Sequence, residues 1–156
     1  MIGVIDYGSG NIQAIRNIYK RLKIETFIVK ESQDISLASK LILPGVVAFD
    51  EVLSKLDQSG LRSDLEEEVL NKKVPIMGIC VGMQIMADGS EEGSLKGLGW
   101  ISGLVKSFDT SKMNDVPKLP HMGWNDISLK DHSIFDGIDK QKGFYYLHSY
   151  FFQANK

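Results

Sequence analysis

The sequence predicts an α/β domain with a doubly wound, mostly parallel sheet and an antiparallel extension. Short, wholly apolar segments end in turn residues, and amphipathic stretches lie between them. Strands without polar alternation are buried on both faces, as in parallel sheets, and right-handed crossovers then place helices on both sides. The extension follows from a change of texture after about residue 95, where strand-like segments and turns succeed one another without a strong helix.

Residues 2–5 form the first expected strand, closed by the turn-rich Asp6-Tyr7-Gly8-Ser9-Gly10-Asn11. Ile12, Ile15, Ile18, Tyr19 and Leu22 then recur at helical spacing. Residues 26–29 read as a second strand, and Leu41-Ile42-Leu43 as a third that Pro44-Gly45 stops. A polar helix is expected over 62–72 and a strand over 74–79. Further on, the segments 97–101, 105–108, 125–129 and 144–152 have the composition of strands and turns.

With 156 residues the chain has the size of one domain with one sizeable core. A net charge of −2 gives it no electrostatic pull toward nucleic acid or an anionic membrane. Its single cysteine excludes an internal disulfide and suits a reducing compartment. Asp6 interrupts the apolar start, no basic run precedes it, and no stretch reaches the 18 apolar residues of a membrane span. A soluble, cytoplasmic, single-domain protein is expected, with no cofactor and no metal.

The chemistry concentrates in Gly78-Ile79-Cys80-Val81-Gly82-Met83-Gln84. An apolar strand runs into Gly-x-Cys-x-Gly and then into a helix-compatible stretch, the cysteine form of a nucleophile elbow. Glycines at 78 and 82 remove the β-carbons that would collide in so sharp a turn. The helix start behind Cys80 offers backbone amides to an oxyanion. A lone cysteine is most often a small core residue, but two flanking glycines make this a poor place to fill a core. Pro44-Gly45-Val46-Val47 closes the preceding strand, so its amides are placed to complete an oxyanion hole beside Cys80.

The same segment resembles the nucleophile motif of the class I, or triad, glutamine amidotransferases. Residues 6–11, Leu43-Pro44-Gly45 with Ala48-Phe49, Pro120-His121-Met122-Gly123-Trp124-Asn125, Ser90-Glu91-Glu92-Gly93 and His148-Ser149-Tyr150 narrow the likeness. They resemble the glutaminase subunits of imidazole glycerol phosphate synthases along the whole chain. The resemblance implies a flavodoxin-like domain that hydrolyses L-glutamine through a thioester on Cys80. The ammonia passes to a (βα)8-barrel cyclase subunit in a heterodimer. Carried over residue by residue, it makes Gly45, Val46 and Val81 elements of the oxyanion site. Gln84 and Glu92 hold the amino-acid end of glutamine, with Ser149 and Tyr150 contributing. Asn11, Tyr145 and the loop of Pro120, His121, Met122, Gly123, Trp124 and Asn125 face the cyclase. Without the family, Glu92 reads as a solvated loop residue, Gln84 as a surface helix residue, and Gly8-Ser9-Gly10 as a structural or interface loop.

Two departures accompany the resemblance. The family's triad ends in a His-x-Glu pair downstream of the His-Ser-Tyr segment, and residues 1–156 contain none. His148, in an apolar run, has a structural or substrate-side role by resemblance. His121 is expected to pack or to face the partner, and His132 to be a solvated loop residue. The chain therefore reads as a C-terminally incomplete amidotransferase domain. In addition, Val47 stands where the family generally has a glycine, and valine disfavours the positive φ that turning an amide toward the oxyanion requires. Amidation of a nucleotide sugar for a surface polysaccharide, or a silent partner-binding subunit, are the competing functions. A cysteine-elbow deglycase or peptidase fits the glutamine-site segments poorly. With no His-x-Glu pair to activate the thiol, this polypeptide alone is expected to release little glutamate, which measuring glutamate with and without the cyclase checks. Turnover matching a relative that carries the pair would point to another base.

Overall fold

The structure is a computed structural model and describes residues 1–109, 111, 119–128, 132–139 and 142–155. Its backbone divides into two compact units, 1–106 with 152–156 and 107–151, although the sequence contains no linker-like stretch between them.

The first unit is built on a four-stranded parallel sheet in the order β2-β1-β3-β4: β1 Ile2–Ile5, β2 Thr26–Val29, β3 Lys40–Gly45 and β4 Ile76–Cys80. This is the strand order of a flavodoxin-like doubly wound sheet, in which the chain switches direction between β1 and β3. Ligands in such sheets bind at the carboxyl ends of the strands beside that switch. The middle of β3, Leu41-Ile42-Leu43, is buried on both faces, as the lack of alternation required.

β3 extends through Pro44 and Gly45 rather than stopping before them. Its pairing with β1 ends at Ile42, so the missing N–H of Pro44 deprives no β1 partner. Pairing with β4 continues to Gly45 opposite Cys80.

α1, Ile12–Arg21, packs on β1 and β2 and is capped by Asn11, whose side chain accepts from the Ala14 N–H at 3.0 Å. Two helices lie where no helix was expected. α2, Ser32–Ile35, opens with a capping box between Glu31 and Asp34. α3, Phe49–Ser59, buries Phe49, Val52, Leu53 and Leu56 and ends at Gly60 in the left-handed region. The expected polar helix divides into α4, Arg62–Glu66, and a wider π-type turn, Glu67–Asn71, where the Lys72 N–H reaches back five residues to Glu67. α5, Val81–Gln84, follows β4 without a break and packs on β3 and β4. β4 begins two residues later than expected, at Ile76.

A three-stranded sheet, β5-β6-β9, comprises β5 Gly89–Ser90, β6 Gly103–Ser107 and β9 Tyr150–Ala154, with β5 and β6 parallel. Residues 97–101 form turns rather than a strand: their amides reach back to carbonyls of Ile85, Met86, Ala87 and Asp88.

The second unit holds the antiparallel pair β7, His121–Asn125, and β8, Phe144–His148, with a 3-10 turn at Ser133–Phe135. The strand expected over 125–129 falls four residues earlier, at 121–125; Leu129 lies outside the described residues. No helix among the described residues is long and apolar enough to cross a membrane.

Candidate functional site

Three segments meet at the carboxyl ends of the first unit's strands: the loop after β1, the end of β3 and the turn from β4 into α5. Cys80 sits at the apex of that turn with φ 57° and ψ −124°, and its side chain is exposed. For a residue with a β-carbon this backbone costs about 1–3 kcal/mol and persists only where the surroundings impose it.

The surroundings do impose it. A β-carbon on Gly82 would run into the Leu43 carbonyl, one on Gly45 into the Gly82 amide, and one on Gly78 into the Met83 backbone. The first turn of α5 therefore lies directly on the ends of β3 and β4, and the chain reverses at Cys80 to reach it. The steric role expected of Gly78 and Gly82 is present, and Gly45 shares it.

The end of β3 is held by the loop after β1. The buried Ser9 hydroxyl donates to the Val46 carbonyl at 2.9 Å and accepts from the Val46 N–H at 3.1 Å. The Tyr7 hydroxyl donates to the Pro44 carbonyl. Burial raises the Tyr7 pKa to about 12, only partly offset by Ser9, so the phenol keeps its proton and donates throughout the neutral range. Gly8-Ser9-Gly10 is thus a structural loop, and Tyr7 is a positioning residue that sequence reasoning left unused. Its signal was weak: a tyrosine in a glycine-rich turn.

Val47 already has φ 75° and is half exposed. The positive φ that its β-branched side chain disfavours is present and is carried as backbone strain, while the neighbouring Val46 N–H stays bonded to Ser9 Oγ. A cavity of about 160 Å³ lies beneath these segments, lined by Asn11, Ile15, Pro44, Val46, Ile79 and Cys80 among others.

Glu92 is exposed in its loop, but it is not merely solvated: its carboxylate accepts from the Phe49 N–H at 3.0 Å, at the start of α3. Asp50 answers from the helix side. It accepts from the Ser94 N–H at 2.8 Å, the Ser94 hydroxyl at 3.1 Å and the Leu95 N–H at 3.1 Å. These bonds, that from the Ser94 amide foremost, lower the Asp50 pKa from its usual 3.8. Asp50 was not singled out in the sequence, where it looks like any acidic residue of a first helical turn. Gln84 and Val81 are buried on α5, which rules out a surface position for Gln84.

In the second unit, the His148 Nδ1 lies 2.9 Å from the Tyr150 carbonyl, which can only accept. His148 Nε2 is then the acceptor for His121 Nδ1 at 2.9 Å, and His121 Nε2 accepts from the Asn125 amide at 2.6 Å. Both histidines are held in this chain of hydrogen bonds, which also fixes Asn125. Ser149 lies between β8 and β9, and Tyr150 opens β9. Met122, Trp124, Tyr145 and Leu147 point the other way and are 54–69% exposed, with Met122 opposite Leu147 and Trp124 opposite Tyr145. Pro120 precedes β7 after a cis peptide bond, and Gly123 pairs with Tyr146.

Residues 3–156 match the family model described as glutamine amidotransferase class-I. The chain belongs to the class-I glutamine amidotransferases. Among relatives of this family, it is 44% identical to the imidazole glycerol phosphate synthase subunit HisH of Leptospira interrogans, over 100% of this chain and 77% of the relative. It is 46% identical to the subunit of that name from Bdellovibrio bacteriovorus, over 99% of this chain and 76% of the relative. A crystal structure of a glutamine amidotransferase superposes with a TM-score of 0.62 at 19% identity, over 80% of this chain and 62% of that one, and so supports the fold.

Two outcomes follow. Val47→Gly relieves strain at a half-exposed site and is expected to raise stability by about 0.5–1 kcal/mol, net of the entropy a glycine adds to the unfolded chain; the urea midpoint checks it. Asp50 has a lowered folded-state pKa, so its hold on the loop is complete above 3.8 and is lost as pH falls through the lowered value. Protection of the Ser94 and Leu95 amides, measured by NMR against the intrinsic exchange rates at each pH, is expected to fall in that window in the wild type, and to be lost already at neutral pH in Asp50→Ala.

Proposed function

We propose that this chain is the glutaminase part of an imidazole glycerol phosphate synthase, working in the cytoplasm as one subunit of a heterodimer with a (βα)8-barrel cyclase. The observation that carries this reading is the positive φ of Cys80 at the strand-to-helix turn, within a chain of this family.

The Cys80 thiolate adds to the carboxamide carbon of L-glutamine, and the carbonyl oxygen takes the negative charge. The backbone amides at Val81 and at the end of β3 are the donors we assign to that oxyanion. Collapse of the tetrahedral intermediate breaks the C–N bond. Nitrogen leaves as ammonia on taking the proton that the thiol gave up, and the γ-glutamyl thioester remains on sulfur. Water then adds to the thioester, releasing glutamate and restoring the thiol. Enlisting the Val46 N–H for the oxyanion requires breaking its bond to Ser9 Oγ, so Ser9 sets the resting position of that peptide. Glu92 acts on the substrate side from a loop whose place is fixed by α3 and Asp50. Gln84, buried on α5, belongs to the amino-acid end of the glutamine site in this reading.

The outward face of β7–β8 is the docking surface we assign to the cyclase. Four large apolar side chains, cross-strand paired and more than half exposed, form the kind of contiguous patch that marks an interface. Asn11 lines the Cys80 cavity and faces the cyclase in this reading.

A diazoketone analogue of glutamine tests the assignment. It is expected to alkylate Cys80 once per folded chain, to be blocked by L-glutamine, and to leave Cys80→Ser unlabelled. Labelling no faster than that of the unfolded chain, or insensitive to glutamine, overturns it.

A further inference from the structure

At the opposite end of the parallel sheet from Cys80, where β1 and β2 begin, a cleft of about 570 Å³ opens between α1 and the start of β2. Its polar lining is Gln13, Arg16, Asn17 and Lys20 from α1, Lys23 from the turn after it, and Glu25. Gln13, Arg16, Asn17 and Lys20 recur at helical spacing and make a polar stripe distinct from the apolar side of the helix.

Three observations give this cleft a ligand chemistry. Arg16 lines the cleft, and its buried Nε has no hydrogen-bond partner among the described residues, so no carboxylate there takes up the guanidinium's charge. Lys23 occupies the left-handed position that ends α1, with φ 57°, where glycine is the residue of least strain; a lysine there keeps a third cation at the cleft. Asn17 Oδ1 accepts from the Gln13 amide at 2.9 Å, which leaves both N–H groups of the Asn17 NH2 as further donors. Against Arg16, Lys20 and Lys23 stands the single carboxylate of Glu25, and none of the four is in an ion pair among the described residues. Donors with an excess of positive charge, gathered in a cleft of ligand size, select an acceptor-only, multiply charged molecule.

We infer that this cleft binds a small polyanion, a diphosphate or a di- or tricarboxylate, with Arg16 as its central contact. The inference does not depend on the chemistry at Cys80.

Isothermal titration of the chain with pyrophosphate and, separately, with citrate tests it, at constant ionic strength. One-to-one saturable binding of at least one is expected, and the tighter of the two names the acceptor class. Arg16→Gln and Lys20→Gln are each expected to weaken it about tenfold or more, the loss of one charge-assisted hydrogen bond. Lys72→Gln, which removes a cation paired elsewhere with Glu68, is expected to leave it unchanged. Lys20 is exposed, so its variant carries the test even if Arg16→Gln fails to fold. No saturable binding of either anion, or equal weakening by Lys72→Gln, overturns the inference.

Discussion

Everything at the carboxyl end of the first sheet depends on how closely one turn of backbone approaches two strand ends. The start of α5 rests on β3 and β4 at a separation that admits no β-carbon at 45, 78 or 82. Because the helix has to start there, the peptide before it has to double back, and Cys80 takes the positive φ that results. The nucleophile's exposure is thus a packing consequence, produced by three missing methyl groups rather than by any contact of the cysteine itself.

The same end of the molecule shows how such strain is kept in place. Ser9 grips both polar groups of Val46, Tyr7 takes the Pro44 carbonyl, and the pairing of β3 with β4 runs to the last residue before the turn. Glu92 and Asp50 form a second brace, in which helix and loop each supply a carboxylate to the other's backbone amides. Each brace joins residues some forty positions apart, so each is a tertiary contact that no local sequence pattern announces.

The strands and the elbow were legible because their cause is local. Apolar runs closed by turn residues gave β1 and β2 to the residue, and two glycines around one cysteine gave the elbow. What escaped was settled by tertiary context. Pro44 looks like a strand terminator until β1 is seen to end its pairing two residues earlier. α3 carries its core residues at 49, 52, 53 and 56, a helical pattern that the acidic residues among them obscured. Val47 broke the local rule for its backbone, and the rule predicted resistance; the assembled site overrides it. Asp50 and Glu92 have partners that no spacing reveals, whereas the roles of His121 and His148 follow only from seeing them opposite each other on β7 and β8.

That pairing also limits what the second unit can hide. Strand partners alternate between two faces, so a shift of one residue would exchange them, carrying Trp124 and Tyr145 inward and the histidines outward. The imidazole-to-imidazole bond across His121 and His148, together with the Tyr150 carbonyl, opposes that shift. The apolar quartet is therefore held as an outer surface, and relieving its exposure by rearrangement within the hairpin costs those bonds. A chain with this hairpin left bare is sticky by construction. Such a face favours self-association, so colloidal behaviour in isolation should depend steeply on concentration.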